Sequence, residues 1–336
     1  MNQRDKKMFY LIVGGAISII FLWGLFYNIN LKELGRALKE ANYYWLIPNI
    51  ALIVFTMYQR AYRWQIMMSP IKVVAYRKLL SATCIGFMAN NVLPLRLGEF
   101  VRAYSISNQD KEVTKSASLA TIFVERMVFD LVALLIIFGG VFTIAHPILG
   151  NKFNLGLVLA LSVAFAGILF MLVLAMKPAK SGKLIVRYLP FLPSGMKERV
   201  ESTIIKFSRG FEFIKSPKKL AGVGVQTAFI WLVMGVSNYF VFLAFNFDLP
   251  LSASFVLLVT VSLSILIPSS PGFIGVYHAA VTLTLSIYKI SAEQALSFAL
   301  VLHAAQYIPI TLLGFYYLKK EHLSLKELEE EATEDL

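Results

Sequence analysis

The chain has few of the residues on which metal and redox sites depend. Its 336 residues include one cysteine, Cys84, and four histidines (His146, His278, His303 and His322). A single cysteine cannot form an intramolecular disulfide, and the histidines lack the close spacing of a zinc site. No glycine-rich P-loop is present either, which argues against direct ATP hydrolysis. We therefore expect no metal site and no cofactor.

Charged residues are also scarce. Only 15% of the chain is charged and 57% is hydrophobic, and the mean hydropathy is +0.67. Soluble domains carry about 25% charged residues, so this composition predicts an all-α polytopic membrane protein. Apolar runs long enough to cross about 30 Å of hydrocarbon as helices predict six spans. They lie at 9–27, 44–60, 117–145, 155–176, 220–246 and 294–318.

The distribution of Lys and Arg predicts the orientation of the chain. Segment 177–219 contains eleven of these residues, and the N-terminus and the segment 59–78 are also basic. Because Lys and Arg concentrate in cytoplasmic loops, we place all three inside and expect both termini in the cytoplasm, with the protein in the cell membrane. The net charge of +12 is then explained by orientation and anionic lipid, and not by nucleic acid.

Counting the crossings requires two further segments to enter the membrane and return on the same side. Segment 79–116 would start and finish inside, with a break near Pro94, and segment 252–289 would start and finish outside, with a break at "IPSSPGFIG", residues 267–275. Proline and glycine interrupt helices, so we predict two broken hairpins. The second is either re-entrant or two short spans.

Each half of the chain then reads span, span, hairpin, span, with opposite orientations. Many transporters have this inverted-repeat plan. We predict a first repeat at 1–150, a second repeat at 151–320 with the basic cytoplasmic loop 177–219, and a frayed acidic cytoplasmic tail at 321–336. The sequence shows no residue-by-residue identity between the halves.

Polar side chains within or beside these membrane segments are the candidate substrate-binding residues. A charge at the bilayer centre costs at least about 2.5–3.5 kcal/mol, so such residues pair with one another or line a polar cavity. Helical spacing predicts two pairs, Glu99 with Arg102 and Arg126 with Asp130. Elimination leaves Arg96 and Glu125 as the third. The candidates are Asn90, Asn91, Arg96, Glu99, Arg102, Glu125, Arg126, Asp130, Ser269, Ser270, Gly272, His278 and His303.

Each candidate has a structural and a functional interpretation. Arg96 follows a helix-breaking proline, and its guanidinium is shaped to hold a phosphate by two parallel bonds. Asn90 and Asn91 either donate to the same anion or satisfy backbone groups that the break leaves unpaired. Backbone amides near Gly272 either bind an anion or allow close packing. The ion pairs either bind substrate or lock the hairpin into the bundle.

The histidines of the second half are open to two interpretations as well. His278 follows the second break and His303 lies on the last span. They are either packing residues or share a hydrogen bond or a proton.

Three motifs in order, "NNVLPLRLGEFVRAY" at 90–104, "ERMVFDL" at 125–131 and "PSSPGFIGVYHAA" at 268–280, resemble the flippase-like membrane domain family. This family is also called the lysylphosphatidylglycerol synthase transmembrane region. The resemblance covers nearly the whole chain and implies lipid translocation without the soluble aminoacyltransferase domain of the best-known members. Many members carry Glu and Arg near the positions of His278 and His303, so the resemblance leaves the lipid open.

The combined hypothesis is a lipid transporter and not an enzyme. Its partners would be membrane lipids, either an anionic phospholipid or a lipid-linked phosphate, and a separate lipid synthase is a possible protein partner. Two alternatives stay open. One is an intramembrane enzyme that modifies a lipid phosphate with Glu125 or a histidine as base, and the other is a scaffold or regulator of a lipid synthase.

Overall fold

The computed structural model of the protein describes residues 3–27, 29–149, 162, 209–267 and 269–334. All regular structure within these residues is helical, as the composition predicts. The helices are α1 (Gln3–Phe26), α2 (Leu31–Glu40), α3 (Leu46–Met68), α4 (Tyr76–Val92), α5 (Gly98–Gln109), α6 (Lys115–Val124), α7 (Leu131–Leu149), α8 (Pro217–Ala244), α9 (Leu251–Ser264), α10 (Val276–Ile287), α11 (Ala292–Lys320) and α12 (Leu325–Glu334). Short 3-10 helices lie at Tyr43–Trp45, Pro94–Arg96, Arg209–Lys215 and Pro271–Phe273, and a π-helix, Glu125–Asp130, joins α6 to α7.

Two predictions fall outside the described residues. They are the span 155–176 and the part of the basic loop that precedes residue 209. The described residues form two compact units. Unit 1 comprises Met1–Tyr58, Thr83–Val101 and Ile230–Leu336, and unit 2 comprises Gln59–Ala82 and Arg102–Phe229.

Two helices of the described part are long and apolar enough to cross a bilayer, namely α8 and α11. A third candidate is a bent pair, Ile12–Phe26 with Leu31–Glu40, whose axes differ by 90°. The predicted span 117–145 is not one regular α-helix. The π-helix, which contains its charged residues, lies between α6 and α7. The count of six spans therefore stays a prediction.

Helix α3 corrects the predicted loop 59–78. The helix continues to Met68, so Arg60 and Arg63 are helical and buried. Apolar residues at 61, 64, 67 and 68 extend the helical pattern past Arg60, and all four are fully buried. The connection to α4 is accordingly short, and the assignment of these two arginines to a loop was wrong.

Both predicted helix breaks are present in unit 1. Helix α4 ends at Val92, Pro94 opens a 3-10 turn, and α5 begins at Gly98. The two arms pack closely, since a Cβ on Gly98 would overlap the carbonyl oxygen of Gly86 and the side chain of Asn90.

The second break has the same local plan. Pro271 opens a 3-10 turn between α9 and α10, and Thr260 and Thr284 join the two arms through a hydroxyl contact of 2.6 Å. Aligned on their prolines, the breaks read "PLRLGEF" (94–100) and "PGFIGVY" (271–277). Proline, an aliphatic residue, glycine and an aromatic ring coincide, so the two breaks share a local sequence pattern.

Each unit has its own apolar core. In unit 1 the rings of Phe242, Phe245, Phe247 and Phe298 pack together, with centroids 5.2 Å apart for Phe242 and Phe298. In unit 2 the core gathers residues of α3, α5 and α6 around the 3-10 turn at 209–215. An ion pair connects the loop after α3 to the loop after α5: Lys72 Nζ donates to Asp110 at 2.8 Å. That bond lowers the pKa of Asp110 and raises that of Lys72.

The acidic tail is a helix and not a frayed end. Helix α12 places Leu328 and Ala332 four residues apart on one face, and both are buried. Burial of this face explains why a highly charged segment is ordered.

Replacing Gly98 with alanine should destabilise the protein by about 1–3 kcal/mol, because the added methyl group overpacks the α4–α5 contact. The measurement is thermal unfolding in detergent. Gly35→Ala in α2 is the matched control: its Cβ meets nothing within 4 Å, and it should be neutral or stabilising by about 0.5–1 kcal/mol. Equal melting temperatures for the two variants would contradict the close approach of the hairpin arms.

Candidate functional site

The two helix breaks contact each other within unit 1, and we call this region the hairpin junction (Leu93–Leu97 with Ile265–Ile267 and Ser269–Gly275). Arg96 Nη1 donates to the carbonyl oxygen of Ile265 at 2.9 Å. Its guanidinium carbon lies 5.5 Å from the centre of the Phe273 ring. The Arg96 side chain is exposed even though it makes these contacts.

The junction has a strained backbone. Arg96 and Phe273, the third residues of the two 3-10 turns, both have left-handed conformations, with φ of 56° and 57°. Such conformations cost about 1–3 kcal/mol for residues other than glycine and concentrate at functional sites. Gly272 and Gly275, with φ of 74° and 89°, supply the rest of the second turn at little cost.

The asparagines near the first break mainly satisfy groups of the protein itself. Asn90 Oδ1 accepts from the backbone N–H of Gly98 at 2.8 Å, and its Nδ2 donates to Glu99 at 3.3 Å. Asn91 Nδ2 donates to Thr311 Oγ1 at 2.9 Å. Of the two interpretations that the sequence left open for Asn90, this geometry matches the structural one.

The second break is held in the same way. The backbone N–H of Ser270 donates to Ser18 Oγ at 3.0 Å, and Ser269 packs against Gly14 in α1, where a Cβ would lie 2.8 Å from the Ser269 carbonyl oxygen. The carbonyl oxygen of Gly272 contacts His303 Nε2 at 2.9 Å. The amide of Ser270 is thus bonded within the protein, and for the groups near Gly272 the two interpretations that the sequence left open stay open.

The two histidines meet at the second break. Their ring centroids are 4.9 Å apart, edge to face. His278 Nδ1 accepts from the N–H of Gly275 at 3.4 Å, and since a carbonyl only accepts, His303 Nε2 donates to Gly272. Within the described residues each ring therefore bonds to a glycine of the turn. Sharing of a hydrogen bond or a proton between the two histidines stays a hypothesis.

Charges concentrate in unit 2, around the buried guanidinium of Arg63. Its Nη1 donates to Asp130 Oδ1 at 2.7 Å and to Thr227 at 2.9 Å, and its Nη2 donates to Glu125 Oε1 at 2.8 Å. Helices α3 and α8 and the π-helix are thereby joined through one side chain. We call Arg60, Arg63, Arg102, Glu125, Arg126 and Asp130 the arginine network.

Two of the predicted ion pairs in this network are wrong. Arg102 Nη1 binds Glu125 Oε1 at 3.1 Å, so Arg102 pairs with Glu125 and not with Glu99. Glu125 also binds Arg63, and Arg96, its predicted partner, contacts Ile265 instead.

The pair of Arg126 with Asp130 is confirmed at 3.2 Å. Arg60 lies 3.9 Å from the same carboxylate.

The π-helix explains why Glu125 and Asp130 contact the same arginine, which the sequence did not predict. In an α-helix, residues five apart point about 140° away from each other. The i to i+5 bonding of a π-helix brings them to one side, so Glu125 and Asp130 both reach Arg63. Arg60 and Arg63 were missed because positive charge near a span end was interpreted as a loop signal. The apolar spacing that continues to Met68 was the available evidence against that interpretation.

Comparison with known proteins gives the same family as the three sequence motifs. The family model described as the lysylphosphatidylglycerol synthase TM region matches residues 11–314, which confirms the resemblance. A UPF0104 membrane protein of Methanocaldococcus jannaschii is 25% identical over 238 residues, 70% of this chain and 95% of the relative. Another from Methanothermobacter thermautotrophicus is 24% identical over 275 residues, 77% and 80% of the two chains. No solved structure gives a significant match.

Replacing Arg63 with methionine should destabilise the protein by about 3–5 kcal/mol, because it leaves two buried carboxylates without their shared partner. Thermal unfolding in detergent measures this change. Arg36→Met is the control, since Arg36 is exposed and its pair with Glu33 is worth about 0–1 kcal/mol. A loss for Arg63→Met as small as for the control would contradict the role of Arg63.

Proposed function

Because the chain belongs to the lysylphosphatidylglycerol synthase transmembrane-region family, we propose that it moves a lipid with an anionic phosphate headgroup between the leaflets of the cell membrane. In this proposal the chain has six spans and two hairpins, forms an inverted repeat of 1–150 and 151–320, and has cytoplasmic termini. The lipid is an anionic phospholipid or a lipid-linked phosphate. The protein changes the leaflet of this lipid and not its covalent structure.

The hairpin junction carries this proposal. Broken helices that meet are the usual place of substrate binding in transporters with inverted repeats. Here the two breaks share a sequence pattern and a left-handed third residue. The exposed Arg96 contacts the second break from the first. A headgroup that binds Arg96 would therefore interact with a residue that contacts both hairpins.

The contacts around the junction also support a division of roles. Three backbone amides and one carbonyl at the two breaks bond to the side chains of Asn90, Ser18, His278 and His303. The hairpins can then keep their shape in an apolar environment without water. Arg96 is the charged group of the junction that is presented outward, and the lipid tails stay in the bilayer while the headgroup passes.

Lipid exchange in reconstituted vesicles tests this function. The purified full chain is incorporated with tail-labelled fluorescent phosphatidylglycerol, phosphatidylethanolamine or phosphatidate, and dithionite quenching reports the outer-leaflet fraction. We expect faster exchange of at least one lipid than in protein-free vesicles. Arg96→Ala should slow it roughly tenfold or more, as expected for loss of a charge-assisted contact of about 1.5–3 kcal/mol.

The exposed Arg36 supplies the matched control, and Arg36→Ala should exchange lipid at the wild-type rate. Absence of exchange for all three lipids, or wild-type exchange by folded Arg96→Ala, would overturn the proposal. Mass spectrometry of the recovered lipids separates the enzyme alternative, which requires a changed lipid mass. The scaffold alternative requires that no lipid moves until a lipid synthase is added.

A further inference from the structure

Arg102 has a buried edge that the protein does not use. The side chain is 2% exposed, and among the described residues it donates a hydrogen bond to Glu125, which Nη1 contacts at 3.1 Å. Its Nε and Nη2 are buried and have no hydrogen-bond partner within the part of the chain that the structure describes. Buried N–H groups of a charged side chain are costly to leave unpaired, which points to a ligand.

These two nitrogens form a recognition edge. Nε–H and Nη2–H point to the same side of the planar guanidinium, in the fork that binds two oxygens of a phosphate or carboxylate. The plane is fixed in advance, because the guanidinium carbon lies 3.9 Å from the centre of the Trp64 ring. Trp64 is itself held by a 2.8 Å bond from Nε1 to Thr121.

The carboxylate that binds Arg102 also has an unused acceptor. Glu125 Oε1 binds both Arg63 and Arg102, whereas Oε2 of the same carboxylate is buried without a hydrogen-bond partner among the described residues. Glu125 begins the π-helix, a feature frequent at functional sites. The site thus combines a fork for an oxyanion with one acceptor for an N–H or O–H group.

We propose that Arg102 and Glu125 form a binding site for a phosphate ester that also carries a hydrogen-bond donor. The phosphate oxygens bind Nε and Nη2 of Arg102, and a hydroxyl or ammonium group of the same ligand binds Oε2 of Glu125. The assignment of this phosphate to a lipid rests on the proposed function. A soluble phosphate ester offers the same chemistry.

Binding to the purified full chain in detergent tests the site. Short-chain dihexanoyl lipids are titrated and the dissociation constant is taken from the concentration dependence of the melting temperature. Phosphatidylglycerol and phosphatidylethanolamine have both groups, phosphatidylcholine has the phosphate without the donor, and dihexanoylglycerol has neither. We expect affinity to fall in that order. Glycerol 3-phosphate tests the soluble source.

The matched variant is Arg102→Lys, which keeps the charge that pairs with Glu125 but lacks the fork. It should weaken binding of phosphatidylglycerol by roughly tenfold or more, the loss expected for one bidentate charged contact. Glu125→Gln should reduce the preference for phosphatidylethanolamine over phosphatidylcholine. Arg36→Lys, at the exposed Arg36, should bind as the wild type does.

Equal affinity of the wild type for phosphatidylglycerol and dihexanoylglycerol would overturn the site without any variant. So would unchanged affinity in folded Arg102→Lys. If glycerol 3-phosphate binds as tightly as the lipids and Arg102→Lys loses it, the site stands and belongs to soluble phosphate esters. Binding in detergent requires no transport, so a protein that binds but does not exchange lipid overturns the proposed function alone.

Discussion

The guanidinium of Arg63 binds two buried carboxylates, and both come from a helical segment that departs from α geometry. Removing one partner of a buried ion pair costs about 3–5 kcal/mol, and Glu125 and Asp130 on a regular α-helix would point away from each other. The π-helix at 125–130 brings both to Arg63, and Arg102 and Arg126 complete the network. The packing of α3, α5 and α6 in unit 2 surrounds this arrangement.

In unit 1, polar side chains bond to backbone groups that the proline and glycine breaks leave without helical partners. Asn90 accepts a hydrogen bond from the first backbone N–H of α5, and Ser18 accepts one from a backbone N–H of the turn before α10. His278 and His303 bind the two glycines of that turn. Several residues that resemble ligand donors in the sequence are therefore parts of the scaffold. The exposed Arg96 is consequently the clearest candidate for headgroup contact in this unit.

Predictions from neighbouring residues were correct more often than predictions between distant segments, although the predicted pair of Glu99 with Arg102, three residues apart, was wrong. The break at Pro94, the break at 267–275 and the Arg126–Asp130 pair depend on neighbours within a few residues, and all three are present. The partners of Glu125 come from α3 and α5, 62 and 23 residues away. Pairing by elimination failed because it assumed regular helices and omitted Arg63, which had been placed in a loop.

Composition and the order of three motifs were sufficient to determine the all-helical membrane class and the family, because apolar content and short motifs are properties of the chain itself. The positions of the breaks follow equally from proline and glycine. Only the tertiary structure decided which polar groups bond to the protein and which keep an unused edge, as Arg102 does. Those bonds join segments far apart in sequence. The π-helix that orients Glu125 and Asp130 toward Arg63 was not predicted from the local sequence.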